Sequence, residues 1–298
     1  MKKVLVMAKC ELSVIIASYN SRGTIGACLK FLVRHANPES FEIIVIDSST
    51  DGTPEYVEQN FSGIEIRHFA ERKFCGDARN IGIGLARGPV IAFIDADCGP
   101  SWVEEILKAH DSADIAIGGA ISNGNPESFV GWAAYFTEFS KWMPGTKLKF
   151  LSDIAGANMS YKAEIFKKYG SFIEGTYCSD TEFHWRLGKD GQKLRFAPSI
   201  LVSHSNIEGL GKFLEHEIFH GRSFGRVRIK SRKFSWMKRL AYCSCMPLVA
   251  VQLLLENGWL NLVNRIYLYH FIKTLPLVGL GIVCWCTGEF LSYLGREN

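Results

Sequence analysis

Between residues 12 and 119 the chain alternates between two periodicities, and this alternation constrains the fold more than any other feature. Short apolar, β-branched runs, LSVIIAS (12–18), FEIIVID (41–47), GIEIRHF (63–69) and PVIAFID (89–95), read as strands. The segments between them, 22–34, 53–60, 76–87 and 101–110, read as helices. Strands alternating with helices predict an α/β fold: a mostly parallel sheet sandwiched by helices on both faces. In such sheets ligands sit beyond the carboxyl ends of the strands. Three of the four strand ends carry suitable polar groups: Ser18-Tyr19-Asn20, Asp47-Ser48-Ser49 and Asp95-Ala96-Asp97.

Further along, 114–123 reads as a strand containing Gly118-Gly119, and 126–143 as an aromatic-rich helix. Residues 153–161 read as a loop and short strand, 162–169 and 180–189 as helices, and 193–203 as one or two short strands. With 298 residues, 47% of them hydrophobic and 21% charged, the chain can bury a sizeable core. One large α/β domain is expected over 1–206.

The composition changes after residue 206. Residues 212–239 carry nine Lys or Arg against two Glu, a local charge of +7 in a chain whose total is +4. Two apolar stretches follow: 240–255, uncharged but interrupted by Pro247, and 266–288, with Lys273 and Pro276 inside it. A bilayer-spanning helix needs about 20 apolar residues. This pair either crosses a membrane or lies in its interface, and the basic residues before it suit anionic headgroups on the cytoplasmic side. A buried helical hairpin is the plainer alternative. Apolar segments so close to the basic stretch suit a membrane surface rather than nucleic acid. Nine cysteines without a C-x-x-C pair predict reduced thiols, not a disulfide framework or zinc site. The opening MKKVLVMAKCE has too short an apolar run for a signal peptide. Together these features predict a catalytic domain on the cytoplasmic face of a membrane.

Several side chains could carry chemistry. In an extended chain, residues two apart point to the same side, so Asp95 and Asp97 can face one ligand. Paired hard oxygens suit magnesium or manganese bound jointly with a diphosphate; ordinary solvated turn residues would look the same. Asp180 and Glu182 open a helix, where its dipole favours carboxylates and where Asp180 could equally be an N-cap. His204 ends an apolar run. Asp47 ends the second strand. Arg79 could pair with a phosphate or sit on the surface.

Taken in order, these residues resemble the family 2 glycosyltransferases, enzymes of the GT-A (Rossmann-like) fold that use sugar nucleotides. The resemblance covers about residues 11–206 and implies a nucleotide-binding half over about 11–122 and an acceptor half over about 123–206. A helical, membrane-associated extension occupies 207–298. In SVIIASYN, Ala17 and Tyr19 would line the nucleobase site, and in VIDSSTDGT, Asp47 would contact the base. Arg79 of GDARNIGIGLARG would lie by the nucleotide. FIDADC matches the D-x-D position, with Asp95 toward the ribose and Asp97 on the metal. AGANMSY is similar to the acceptor-side loop, with Gly156 and Asn158 as candidates. CSDTEFHWRL falls where the family carries its general base, here Asp180, with Trp185 assigned to the acceptor. His204 matches a position that completes the metal site in some relatives. Ser179, Ser48 and Cys98 depart from the family pattern, the first two at positions that bear on nucleotide choice. No Q-x-x-R-W follows Asp180, which argues against a processive synthase.

The resemblance implies transfer of a sugar, with inversion, from a nucleotide-sugar donor to an acceptor hydroxyl, with a divalent metal (magnesium or manganese) as cofactor. The acceptor would be a lipid-linked glycan or a cell-surface polysaccharide precursor. The 118–142 segment, rich in aromatics, suits stacking on sugar or lipid. A polyprenyl-phosphate sugar synthase is the alternative within the class. A nucleotidyltransferase and a non-catalytic membrane-bound scaffold are the alternatives outside it.

Overall fold

A computed structural model describes residues 10–34, 40–100 and 103–295. The basic opening at 1–9 and the first two residues of the expected 101–110 helix lie outside the described residues.

The first half follows the expected alternation: β1 (Leu12–Ser18), α1 (Ile25–Arg34), β2 (Phe41–Asp47), α2 (Thr53–Asn60), β3 (Glu65–His68), α3 (Cys75–Leu85) and β4 (Val90–Asp95). β1 pairs in parallel with both β2 and β4, and β2 pairs in parallel with β3. Leu12, Val14, Ile15 and Ile16 are all fully buried. Apolar groups on both faces of one strand explain its continuous hydrophobic run, since helices cover the sheet from both sides.

The second half contains β5 (Cys98–Pro100), α4 (Val103–His110), β6 (Ala116–Asn123) and α5 (Phe129–Phe139), the last followed by a 3-10 turn at Ser140–Trp142. It continues through β7 (Lys149–Leu151), β8 (Asn158–Lys162), α6 (Glu164–Tyr169), α7 (Ser179–Lys189) and β9 (Leu194–His204). The nine-stranded sheet runs β3-β2-β1-β4-β8-β6-β9-β5, with β7 on β9. The strands of the first half are parallel as expected; the sheet as a whole is mixed, because β8 runs antiparallel to β4 and β6, and β5 and β7 antiparallel to β9. The physical reason lies in the connection. The chain leaves β6 at the end where β4 also finishes, makes α5 there, and must enter β8 from that same end. The register Ile94↔Asn158 follows, and it sets the loop before β8 beside Asp95.

Asn158 is correspondingly structural, a correction to the acceptor role expected of it. β6 and β9 shift register between Gly119 and Ala120, which leaves carbonyls without strand partners. The buried Asn158 amide spans this irregularity, donating to Ala120 O at 2.9 Å and Ile200 O at 3.0 Å. Gly119 leaves the room, since a Cβ there would sit 2.1 Å from Ile200 O and 2.2 Å from Asn158 Nδ2.

Where a basic helical linker and two apolar helices are expected, the described residues form α8 (Leu210–Ser231), α9 (Trp236–Asn264) and α10 (Leu268–Tyr293), and α8 and α10 pack so closely that only glycines fit. A Cβ on Gly221 would lie 1.9 Å from Trp285 O, and one on Gly288 2.0 Å from Ile218 O. α10 also closes over α5. Trp132 stacks on His270 at 4.3 Å and meets Tyr267 at 4.9 Å, and Phe136 meets Phe271 at 5.2 Å. Trp132, Tyr135 and Phe136 are therefore core, not the sugar- or lipid-stacking surface expected of the aromatic segment, whereas Phe139 and Trp142 at its C-terminal end line the pocket beside His204.

Replacing Asn158 with Ala strands two buried carbonyls, each unsatisfied group costing about 1–3 kcal/mol. Urea denaturation should show Asn158→Ala losing roughly 2–4 kcal/mol of stability. A loss under about 1 kcal/mol would mean that the amide is not spanning the irregularity.

Candidate active site

The carboxyl ends of β1 and β4 open into one cleft, and loops and helices from the rest of the chain wall it. Its lining includes Ala17, Tyr19, Arg79, Asp95, Asp97, Gly156, Asp180 and His204. The structure thus brings together residues that the sequence spreads over almost 190 positions.

The sheet pairing explains the metal-ligating corner. β5 turns back immediately after Asp97 and pairs Cys98 with His204, and Ser205 N donates to Asp97 O at 3.1 Å. His204 Nε2 then lies 3.4 Å from Asp97 Oδ1. His204 Nδ1 donates to Asn206 Oδ1 at 3.0 Å, which turns Nε2 toward the carboxylate; an outer partner of this kind orients a ligating imidazole. Burial alone would lower His204, but Asp97 and Asp95 outweigh it and hold the imidazole above its ordinary value. Cys98 is also close, yet its thiol is buried and donates to Ala157 O at 3.7 Å. Burial, then the two aspartates, pushes that thiol well up. A carboxylate and an imidazole Nε2 turned toward it fit a divalent cation that takes the place of the imidazole proton, whereas a protonated thiol does not ligate one.

Arg79 and Asp180 belong to the same lining. α3 and α7 approach closely at Gly76, where a Cβ would lie 2.2 Å from Ile173 O and 2.9 Å from Ser179 Cβ. Cys178 precedes α7 in the left-handed region, at φ 60°. A non-glycine residue in that conformation costs about 1–2 kcal/mol, and it turns Asp180 toward the cleft. Arg79, 5% exposed, reaches Gly156 O at 3.2 Å and Asp95 Oδ1 at 3.6 Å. Burial outweighs Arg79's charge at Asp95 and pushes that carboxyl up. Gly156 fits beside Arg79 and Asp180 because it has no side chain: a Cβ would lie 2.5 Å from Asp180 Oδ2 and 2.7 Å from Arg79 Nη2.

Two expectations fail on geometry. Asp47 does not reach the cleft wall. Its side chain is fully buried and accepts from Ser49 N at 2.9 Å and Ser49 Oγ at 2.6 Å, with His68 Nδ1 at 2.9 Å, so it fixes the loop after β2. Trp185 lies on the far face of α7, against Phe224 and beneath the Arg232 guanidinium at 4.5 Å. Other cleft residues escaped the sequence reading. Arg72 lies over the exposed Tyr19 ring at 4.3 Å and near Phe74 at 4.9 Å; its place in the loop after a parallel strand was the available signal. Asp153 lines the cleft beside Asp180 and is held by His184, whose other nitrogen lies 2.6 Å from the Tyr161 hydroxyl. Glu138, His216 and His220 also line it, so α8 belongs to the site, and the expected boundary at 206–207 cuts through it.

The comparisons agree with this architecture. Residues 13–170 match the model of glycosyl transferase family 2. The glycosyltransferase AglE of Haloferax volcanii is 27% identical over 227 residues, 73% of each chain. The putative glycosyltransferase EpsH of Bacillus subtilis is 36% identical over 112 residues, 35% of this chain and 32% of that protein. Among solved structures, the Pyrobaculum calidifontis mannosyltransferase PcManGT, in complex with GDP-Man and Mn2+, superposes over 96% of this chain and 88% of its own with a TM-score of 0.65 at 15% identity. That likeness bears out the GT-A fold that the resemblance implied. The chain belongs to glycosyl transferase family 2 and is a glycosyltransferase.

Proposed function

We propose that this protein transfers a sugar, with inversion, from a nucleotide-sugar donor to a hydroxyl of a lipid-linked glycan or cell-surface polysaccharide precursor. The observation that carries the reading is that one cleft gathers Asp97 with His204 and, from α7, Asp180. Inversion needs a base on the face opposite the leaving group, and in this reading Asp180 takes that face. The neighbours PcManGT and Staphylococcus aureus TarS, the latter in complex with UDP-GlcNAc, support a sugar-nucleotide donor.

Each residue has a task in this reading. Tyr19, pinned by Arg72, and Ala17 offer a surface for the nucleobase. Asp95 sits where a ribose would follow. Asp97 and His204 would hold the divalent metal, magnesium or manganese, and such an ion neutralises charge gathering on a departing diphosphate. Asp180 accepts the acceptor hydroxyl's proton, a step typically worth about 10²–10⁴ in rate. Gly156, between Arg79 and Asp180, keeps the acceptor's approach open.

The acceptor's lipid link rests on α9. Only 6% of its apolar window is buried, against 39% for α10. Leu248, Leu255 and Trp259 are 71%, 68% and 69% exposed and recur at helical spacing on one face. Lys230, Arg232, Lys233, Lys238 and Arg239 surround the start of this helix. An apolar face with a basic margin suits an anionic, cytoplasmic membrane surface and would hold the cleft near a lipid-borne substrate.

Asp180→Asn should cut sugar transfer by about 10²–10⁴ while donor affinity, read by calorimetry, stays within a few-fold; full activity would remove Asp180 from the mechanism. Product analysis of the wild type should find nucleoside diphosphate, and pyrophosphate instead would mean nucleotidyl transfer. Gly156→Ala pushes on both Arg79 and Asp180, so kcat/KM should fall on the order of 10–100-fold without loss of melting temperature. Replacing Leu248, Leu255 and Trp259 with Ser should abolish flotation with phosphatidylserine liposomes in the still-folded chain. Undiminished flotation would exclude this face.

A further inference from the structure

Glu138 on α5 faces His216 and His220 on α8 across the cleft wall. Each offers one ligand atom, and these atoms all lie within 4.8 Å of one another. Residues four apart share a helix face, so the two imidazoles point the same way by sequence alone. The α8–α10 glycine contacts fix the helix that carries them. The Tyr177 ring packs against both imidazoles, at 6.1 and 6.3 Å, and restricts their rotation. His216 Nε2 lies 3.3 Å from Glu138 Oε1, and His220 makes no hydrogen bond among the described residues.

We propose that Glu138, His216 and His220 form a second cation site in this cleft, selective for a borderline divalent ion of the zinc class. Two imidazoles and one carboxylate supply two nitrogens and one oxygen, the donor set such ions prefer over magnesium. Three protein ligands leave a position open, and here the open side is the cleft itself. The site differs in hardness from the Asp97–His204 corner, so one cleft can hold two unlike ions.

The rival reading is a plain Glu138–His216 ion pair. The decisive measurement uses the full chain in detergent, stripped of metal, with Asp97→Asn and His204→Ala together removing the other corner. Equilibrium dialysis against zinc with elemental analysis should find one equivalent bound, and cobalt(II) should give the visible absorption of a low-coordinate site. Adding Glu138→Gln should weaken binding at least about 100-fold, since losing even an outer partner costs about 10–100-fold. Adding His216→Gln with His220→Gln should abolish it. Absence of stoichiometric zinc in the Asp97→Asn, His204→Ala chain would overturn the site, as would zinc retained after the histidines are replaced. Neither result depends on sugar transfer.

Discussion

The buried guanidinium of Arg79 is the point on which the cleft is organised. Taking such a cation out of water costs several kcal/mol unless its donors and charge are met. Here they are met by groups from different parts of the chain: Asp95 from the end of β4, the Gly156 carbonyl from the loop before β8, and the field of Asp180 from α7. The rings of Phe93 and Phe172 lie 5.9 and 6.0 Å away and exclude water. Because the partners come from separate elements, the cation sets their spacing. It also offsets part of the burial that pushes the Asp95 carboxyl up.

The second organising fact is the direction of β8. An all-parallel sheet would have carried the chain away from the cleft after β6. Running β8 antiparallel keeps the 152–157 loop at the carboxyl ends of β4 and β6, and so delivers Asp153 and Gly156 to the site. The cost is an irregular β6–β9 pairing, which Asn158 closes from within. Structural and chemical residues thus alternate over a few positions of one loop and strand: Gly156 touches the cleft, and Asn158 sustains the sheet beside it.

That alternation bears on where the sequence was legible. Strand ends could be read because an apolar run that stops at paired acids places carboxylates at the edge of a buried sheet, where ligands gather; Asp95, Asp97 and His204 indeed lie together. Helix faces were harder. Asp180 and Trp185 are five residues apart, about 140° around a helix at 100° per residue, so both cannot look into one cleft; local sequence did not say which does. Asp47 shows the same limit on a strand: a carboxylate at a parallel-strand end can face the ligand or bind its own following loop, and Ser49 decides for the loop. The aromatic segment 126–143 misled because its partner, α10, lies more than 120 residues away in sequence. His216 and His220 carried a visible four-residue spacing, hidden inside a stretch whose lysines and arginines drew attention to charge.

The C-terminal helices show how two helices of like composition can be packed very differently. α9 and α10 are both long and apolar enough to cross a bilayer, and composition does not separate them. Packing does. α10 turns its glycines and aromatics toward α8 and α5, so its apolar surface is already matched by protein. α9 leaves a stripe of leucine, valine and tryptophan without a protein partner. If the pair were lifted together into lipid, α10 would have to leave α8, exposing the Glu289–Arg228 ion pair, joined at 2.8 Å with the glutamate 1% exposed. Separating a buried pair of that kind costs about 3–5 kcal/mol. In the proposed membrane reading, seating α9 against a surface while α10 stays packed would leave that pair intact, along with the α8 face that carries His216 and His220, and would keep the cleft assembled.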